Sequence, residues 1–218
     1  MSDTRLVIFD CDGVLVDSEV ISNEVLAREL TAAGLATTLA QARRDYQGLL
    51  LEEIARDAGA RLGRPLGEDW ISRYEQVRSE AFRRELRPIA GAAELVQAVR
   101  RAGIAVCVAS QGALAKTRLS LELTGLAPYF RPEELFSAEQ VARGKPFPDL
   151  FLHAAAAIGA PRSRCVVIED TPSGARAAVA AGMRVLGYAS DSDAHALRDA
   201  GAEIVMSLAE VPALLGLP

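Results

Sequence analysis

The chain has 218 residues, half of them hydrophobic and few aromatic, with a formal net charge of −5. That is enough to bury one medium domain, or one domain that carries an insertion. Arg pairs such as Arg43-Arg44, Arg83-Arg84 and Arg100-Arg101 are dispersed among acids and read as solvated helix faces, which excludes a nucleic-acid patch. No apolar run approaches the roughly 20 residues of a membrane span.

The opening MSDTRL runs straight into a first strand, with no signal-peptide pattern. That strand, VIF, ends on two carboxylates one residue apart, Asp10 and Asp12. Close, half-buried carboxylates repel each other and are costly unless a cation or a reacting phosphate sits beside them. Residues 17–86 then read as helical, with apolar stripes at Val20, Val25, Leu26 and Leu30 and at Ile54, Ala58 and Leu62, and they carry the single Trp70. Pro88 and Gly91 in LRPIAG mark the return.

From there strands and helices alternate. A helix over 91–102 precedes a strand over 104–109, and a helix over 113–124 follows. Next come a helix over 149–158, a strand over 164–169, a helix over 172–181 and a strand over 184–188. A weak unit at 203–206 and a tail helix close the chain. Continuous β-branched runs suit strands covered on both faces, and glycines stop the helices. The expected fold is α/β: a doubly wound parallel sheet with right-handed crossovers. Its domains are 1–16 with 87–218, and an all-helical insertion over 17–86. Ligands of such sheets bind at the carboxyl ends of strands, so the insertion is expected to form a lid. Cys11, Cys107 and Cys165 lie far apart without CxxC spacing, which predicts reduced thiols and a cytoplasmic location.

A parallel sheet brings the residues after each strand to one edge. Strand one delivers Asp10 and Asp12, the next Ser110-Gln111-Gly112, and a third Glu169-Asp170 followed by Thr171-Pro172 at a helix start; Lys145 precedes another helix. Oxygen-only ligands favour a hard cation, Mg²⁺ where a phosphate completes the shell. A hydroxyl, a helix start and an ammonium are donors for phosphate oxygens. One carboxylate would attack phosphorus, and its neighbour would move the proton, worth roughly 10²–10⁴ in rate. Taken singly, each signal has a plainer reading: turn acids at Asp10 and Asp12, helix-capping acids at Glu169-Asp170. Their joint occurrence at one edge decides for chemistry. His153 and His195 read as helix-surface residues and Cys107 as core. No GxSxG elbow is present, and Pro146 after Gly144-Lys145 excludes a P-loop.

These segments resemble the four motifs of the haloacid dehalogenase superfamily: DCDGV, VASQG, GKPFPD and IEDTPSG, in order and over essentially the whole chain. The helical segment after the first motif resembles the subfamily of β-phosphoglucomutase and phosphoglycolate phosphatase, and most of all bacterial sugar-phosphate and 6-phosphogluconate phosphatases. The resemblance implies Asp10 as nucleophile and Asp12 as acid/base. It also implies Ser110, Gln111 and Lys145 as phosphate ligands, and Mg²⁺ held by Asp10, the Asp12 carbonyl, Asp170 and Glu169. Glu19 and Gly48, with Asn23 and Tyr46, would shape specificity. Two departures stand out. Gln111-Gly112 replaces a commoner Ser/Asn pattern, and Leu49-Leu50-Leu51 follows Gly48 where mutases carry an Arg for a second phosphate. The expectation is a monomeric, Mg²⁺-dependent phosphatase of a small phosphorylated metabolite, a sugar or sugar-acid phosphate, with no nucleic-acid or membrane partner. The rivals are a phosphomutase and a catalytically silent binding protein on the same scaffold.

Overall fold

A computed structural model describes residues 3–217. The chain forms two compact units: one is Ser18–Arg87, and the other joins the residues up to Asp17 with those from Pro88 onward.

The larger unit is built on a six-stranded sheet, β1 Leu6–Phe9, β2 Ala105–Ser110, β3 Leu135–Ser137, β4 Cys165–Glu169, β5 Arg184–Tyr188 and β6 Glu203–Val205. The spatial order is β3-β2-β1-β4-β5-β6, with every pairing parallel. The chain winds outward from β1 to β3, then returns to the other side of β1 and winds outward again. The direction of winding reverses between β1 and β4, and at this switch point a crevice opens at the carboxyl ends of the strands. Register fixes what meets in it: Phe9 pairs with Val108 and with Ile168, so Asp10, Ser110 and Glu169 leave the sheet at nearly one level.

Pleating sends alternate side chains to opposite faces. Leu6, Ile8, Cys107, Ala109, Cys165 and Val167 form one fully buried cluster with Leu150, Phe151, Ala154 and Ala175. In chain order the helices of the smaller unit are α1 Glu19–Ala32, α2 Leu39–Tyr46, α3 Leu51–Leu62 and α4 Trp70–Glu85. Those of the larger unit are α5 Ala92–Arg101, α6 Leu114–Leu123, α7 Asp149–Ile158, α8 Pro172–Ala180, α9 Ala194–Asp199 and α10 Val211–Leu214. Elements α7, α8 and α9 cover the face that carries Leu6 and Ile8. Three buried free cysteines pack in this unit. The chain leaves it just after Val16, which bridges Pro88, while Ile89 N–H donates to the Leu15 carbonyl at 2.9 Å.

In the smaller unit α1 packs against both α2 and α4. On α4 the four-residue spacing of Trp70, Tyr74, Arg78 and Phe82 makes one stripe. Trp70 stacks on Tyr74 at 5.7 Å, and the Arg78 guanidinium lies 5.1 Å from the centre of the Tyr74 ring. The stripe on α1 departs from its sequence reading only at its first position: Val20 is exposed and Ile21 is buried in its place, while Val25, Leu26 and Leu30 are buried as expected. The short strand β3 and helix α9 were not anticipated. Three residues show no measurable period, and α9 follows a polar stretch, DSD, without an apolar stripe. Among the described residues, no helix is long and apolar enough to cross a membrane.

Candidate active site

The loop after β1 explains how two carboxylates share one edge. Leu15 and Val16 N–H both donate to the Cys11 carbonyl, at 2.9 and 3.0 Å, and Gly13 N–H donates to Val16 O at 2.9 Å. The chain thus folds back on itself through Gly13, whose φ of +74° lies in the left-handed region. A side chain there would also collide with the Asp170 carboxylate. Glycine is needed twice over, and it brings Asp12 back toward the strand end.

Asp10, Glu169 and Asp170 are all buried, and one oxygen from each lies within 4.8 Å of the others. Lys145 neutralises part of this charge. Its Nζ donates to Asp10 Oδ1 and to Glu169 Oε1, both at 2.6 Å, and its side chain is 4% exposed. Burial pushes the Asp10 carboxyl up to about 7, helped by Glu169 and Asp12 and opposed by Lys145. Burial alone would favour a neutral Lys145 amine, but attraction to Asp10 and Glu169 outweighs it and holds the ammonium above its ordinary range. One lysine does not balance this many acids. The donor set is oxygen-only and short of positive charge, which fits a hard divalent cation.

Each partner is fixed by a second layer. Glu169 Oε2 accepts from both the backbone N–H and the hydroxyl of Thr171, each at 2.9 Å. Thr171 is also the N-cap of α8, accepting from Gly174 N–H at 3.1 Å. Both Glu169 oxygens thus accept from protein donors, and each keeps a further lone pair that a cation could use. Ser110 is fully buried, and its Oγ accepts from Gly112 N–H at 3.1 Å, which closes a tight turn and leaves its own O–H to donate. The Ser137 hydroxyl donates to Gly112 O at 2.8 Å and pins that turn. Gln111, expected among the phosphate ligands, directs its Oε1 at the Lys145 backbone N–H, 2.9 Å away. Its side chain ties the turn after β2 to the segment that bears Lys145.

The structure therefore brings together Asp10, Asp12, Ser110, Gln111, Lys145, Glu169 and Asp170. Glu19 and Gly48 belong to the other unit. Glu19 opens α1 and is bonded there by Asn23 Nδ2, and Gly48 is exposed after α2 with a φ of +80°. Tyr46 is buried, and its hydroxyl donates to Asp57 Oδ2 at 2.7 Å and accepts from Arg61. Sequence reasoning missed Lys116, on α6, whose Nζ pairs with Asp12 Oδ2. A compositional signal was available: the chain has 24 Lys and Arg, of which Lys116 and Lys145 are the only lysines.

A model of haloacid dehalogenase-like hydrolases matches residues 4–182. The chain belongs to that family. It is 33% identical over 195 residues to 6-phosphogluconate phosphatase of Escherichia coli K12, covering 88% of this chain and 85% of that protein. It is 29% identical over 199 residues to hexitol phosphatase A of the same organism, covering 88% and 86% of the two chains. Among solved structures, a HAD family hydrolase from Deinococcus radiodurans R1, determined with bound phosphate and sodium, is 31% identical. It superposes with a TM-score of 0.79 over 99% of this chain and 96% of that one. Membership in this hydrolase family makes the chain an enzyme, and the Asp10 edge of the sheet carries the family's four motifs.

Proposed function

We propose that this haloacid dehalogenase-like hydrolase is a Mg²⁺-dependent phosphatase of a small sugar or sugar-acid phosphate, working through an aspartyl-phosphate. The observation that carries the reading is the buried Asp10–Lys145–Glu169 array beside Asp170, Asp12 and Ser110. Relatives described as phosphatases of 6-phosphogluconate and of hexitol phosphates support the substrate class.

Asp10, the Asp12 carbonyl and Asp170 are the groups that would hold the cation, with Glu169 contributing directly or through water while it also accepts from Lys145 and Thr171. When bound, the cation would supply charge masking of the phosphate and of Asp10. The remaining work falls to the chain. The Ser110 hydroxyl and the Lys145 ammonium donate to phosphate oxygens. An oxygen of Asp10 attacks phosphorus as the bond to the substrate oxygen breaks, and Asp12 delivers a proton to that oxygen. Water then attacks phosphorus, giving its proton to Asp12, and the electron pair of the breaking bond returns to Asp10. Segment 18–87 would act as a cap that selects the substrate and keeps bulk water out. The buried thiols suit a reducing, cytoplasmic setting.

The test is phosphate release with Mg²⁺ from sugar phosphates, sugar-acid phosphates, phosphoglycolate, nucleotides and p-nitrophenyl phosphate, for the wild type and Asp10→Asn. The wild type releases phosphate from sugar or sugar-acid phosphates, and the variant is inactive although folded. Hydrolysis retained by Asp10→Asn would remove the covalent mechanism. Conversion of a hexose 1-phosphate to its 6-phosphate would make the enzyme a mutase, and silence across the panel would make it a binding protein.

A further inference from the structure

The Lys116–Asp12 pair has no place in the mechanism above. Lys116 rises from the first turn of α6, and its ammonium reaches back over the Ser110–Gly112 turn. A side-chain carbon placed on Gly112 would lie 3.5 Å from Lys116 Nζ and 3.5 Å from Ser110 Oγ. The Lys116 and Asp12 side chains are only 11% and 17% exposed. This is one of just two lysines in a chain that otherwise uses arginine. Each lysine serves different carboxylates of one cluster: Lys145 bonds Asp10 and Glu169, and Lys116 bonds Asp12. A compact ammonium fits between a carboxylate and a tight turn where a guanidinium fork is broader.

Lys116 ties the Asp12 side chain to the first turn of α6, beside the Ser110–Gly112 turn, and that contact fixes where the side chain sits. We propose that Lys116 is a positioning residue that holds the Asp12 side chain in place for the second half-reaction, hydrolysis of the aspartyl-phosphate. This inference rests on the acid/base reading of Asp12 given above. In that step the oxygen of water bonds to phosphorus, the bond from phosphorus to the Asp10 oxygen breaks, and the proton of water passes to Asp12. The base must sit within hydrogen-bond reach of that water, and a misplacement of about 1 Å can cost about 10²-fold.

The assignment has a kinetic signature. With p-nitrophenyl phosphate the leaving group departs without much need of a proton, so transfer of phosphate to Asp10 depends little on where Asp12 lies. In Lys116→Met, kcat for this substrate should fall about 10- to 100-fold and KM should fall with it, leaving kcat/KM within about threefold of wild type. Acid-quenched samples should hold more phosphorylated protein than wild type, and a burst of p-nitrophenolate should precede the slow steady state. Lys116→Arg, which keeps the charge, should recover part of kcat. A circular-dichroism melt run alongside establishes that the variants are folded.

A raised KM with unchanged kcat would make Lys116 a phosphate ligand and overturn the proposal. A fall in kcat/KM without accumulated phosphoprotein, in a folded variant, would make it a packing residue and overturn it equally. Asp10→Asn separates the two levels of inference. If that variant still hydrolyses the ester, the covalent reading fails and the proposal falls with it. If it is inactive and Lys116→Met accumulates nothing, the assignment of Lys116 alone is wrong.

Discussion

Lys145→Met tests whether the site is held by charge or by packing. Methionine nearly fills the lysine volume but leaves Asp10 and Glu169 facing each other without the ammonium that bonds both at 2.6 Å. Removing one partner of a buried ion pair costs about 3–5 kcal/mol, which corresponds to a fall in Tm of about 6–20 °C for a chain of this size. The cost should depend on pH, and its sign follows from Asp10. Burial, with the neighbouring acids, already lifts this carboxyl from 3.8 to about 7 despite Lys145. Without the lysine it rises further. The folded state then retains a proton that the unfolded chain has released, so stability falls as pH rises from about 4 through 7 and beyond. Lys145 itself is held above its ordinary value of 10.5, so its contribution is undiminished below that pH and does not tilt the comparison. Urea unfolding in EDTA should therefore show a loss several-fold larger at pH 8 than at pH 5. The double variant Lys145→Met/Asp10→Asn should recover part of the loss, since two neutral groups replace a lone charge. Equal losses at both pH values, or simple additivity in the double variant, would refute an electrostatic role.

Three further changes probe the layers around this array. Gly174→Ala would drive a methyl group into the Glu169 carboxylate, and overpacking of that kind costs about 1–3 kcal/mol; a melt should show it together with weakened phosphatase activity. Gln111→Ala removes the acceptor of the Lys145 backbone N–H, leaving a part-buried donor at a cost of about 1–3 kcal/mol, and it should raise KM for p-nitrophenyl phosphate by loosening the lysine. On the far side of β2, Glu134 is 2% exposed and bonded by Arg100 and Arg131. Burial would raise its carboxyl, but these hydrogen bonds win and lower it from 4.5. Glu134→Gln should therefore destabilise the protein above about pH 4.5, and the gap should close as pH falls through the depressed folded value.

The sheet was legible because its strands are buried on both faces and read as unbroken runs, and because parallel pairing leaves no choice about which ends converge. Knowing that Asp10, Ser110 and Glu169 each follow such a run was enough to place them at one edge. Their division of labour was not legible. Glu169, a metal ligand by resemblance, has a second task as well, accepting from Lys145 and from Thr171. Gln111 reads as a substrate contact from its place in the motif, yet it faces the backbone of Lys145, 34 residues away in sequence. Such roles depend on which side chain arrives from another loop, and local spacing carries no record of that. Lys116 was hidden for a related reason. It sits inside a helix with an ordinary polar pattern, and only the turn before α6 aims it at Asp12.

The scarcity of lysine gives this enzyme an unusual chemical simplicity. In most proteins an amine-directed reagent, or enzymatic acetylation, is spread over many surface ε-amines and says little about any one of them. Here both ε-amines of the chain lie among the carboxylates of the candidate site, Asp10, Asp12 and Glu169. Acylation of lysine on this protein is therefore a report on the candidate site alone. Whatever shields Lys116 and Lys145, such as a bound phosphate, should be readable as protection of just two peptides in a mass spectrum, with no activity assay and no knowledge of the substrate.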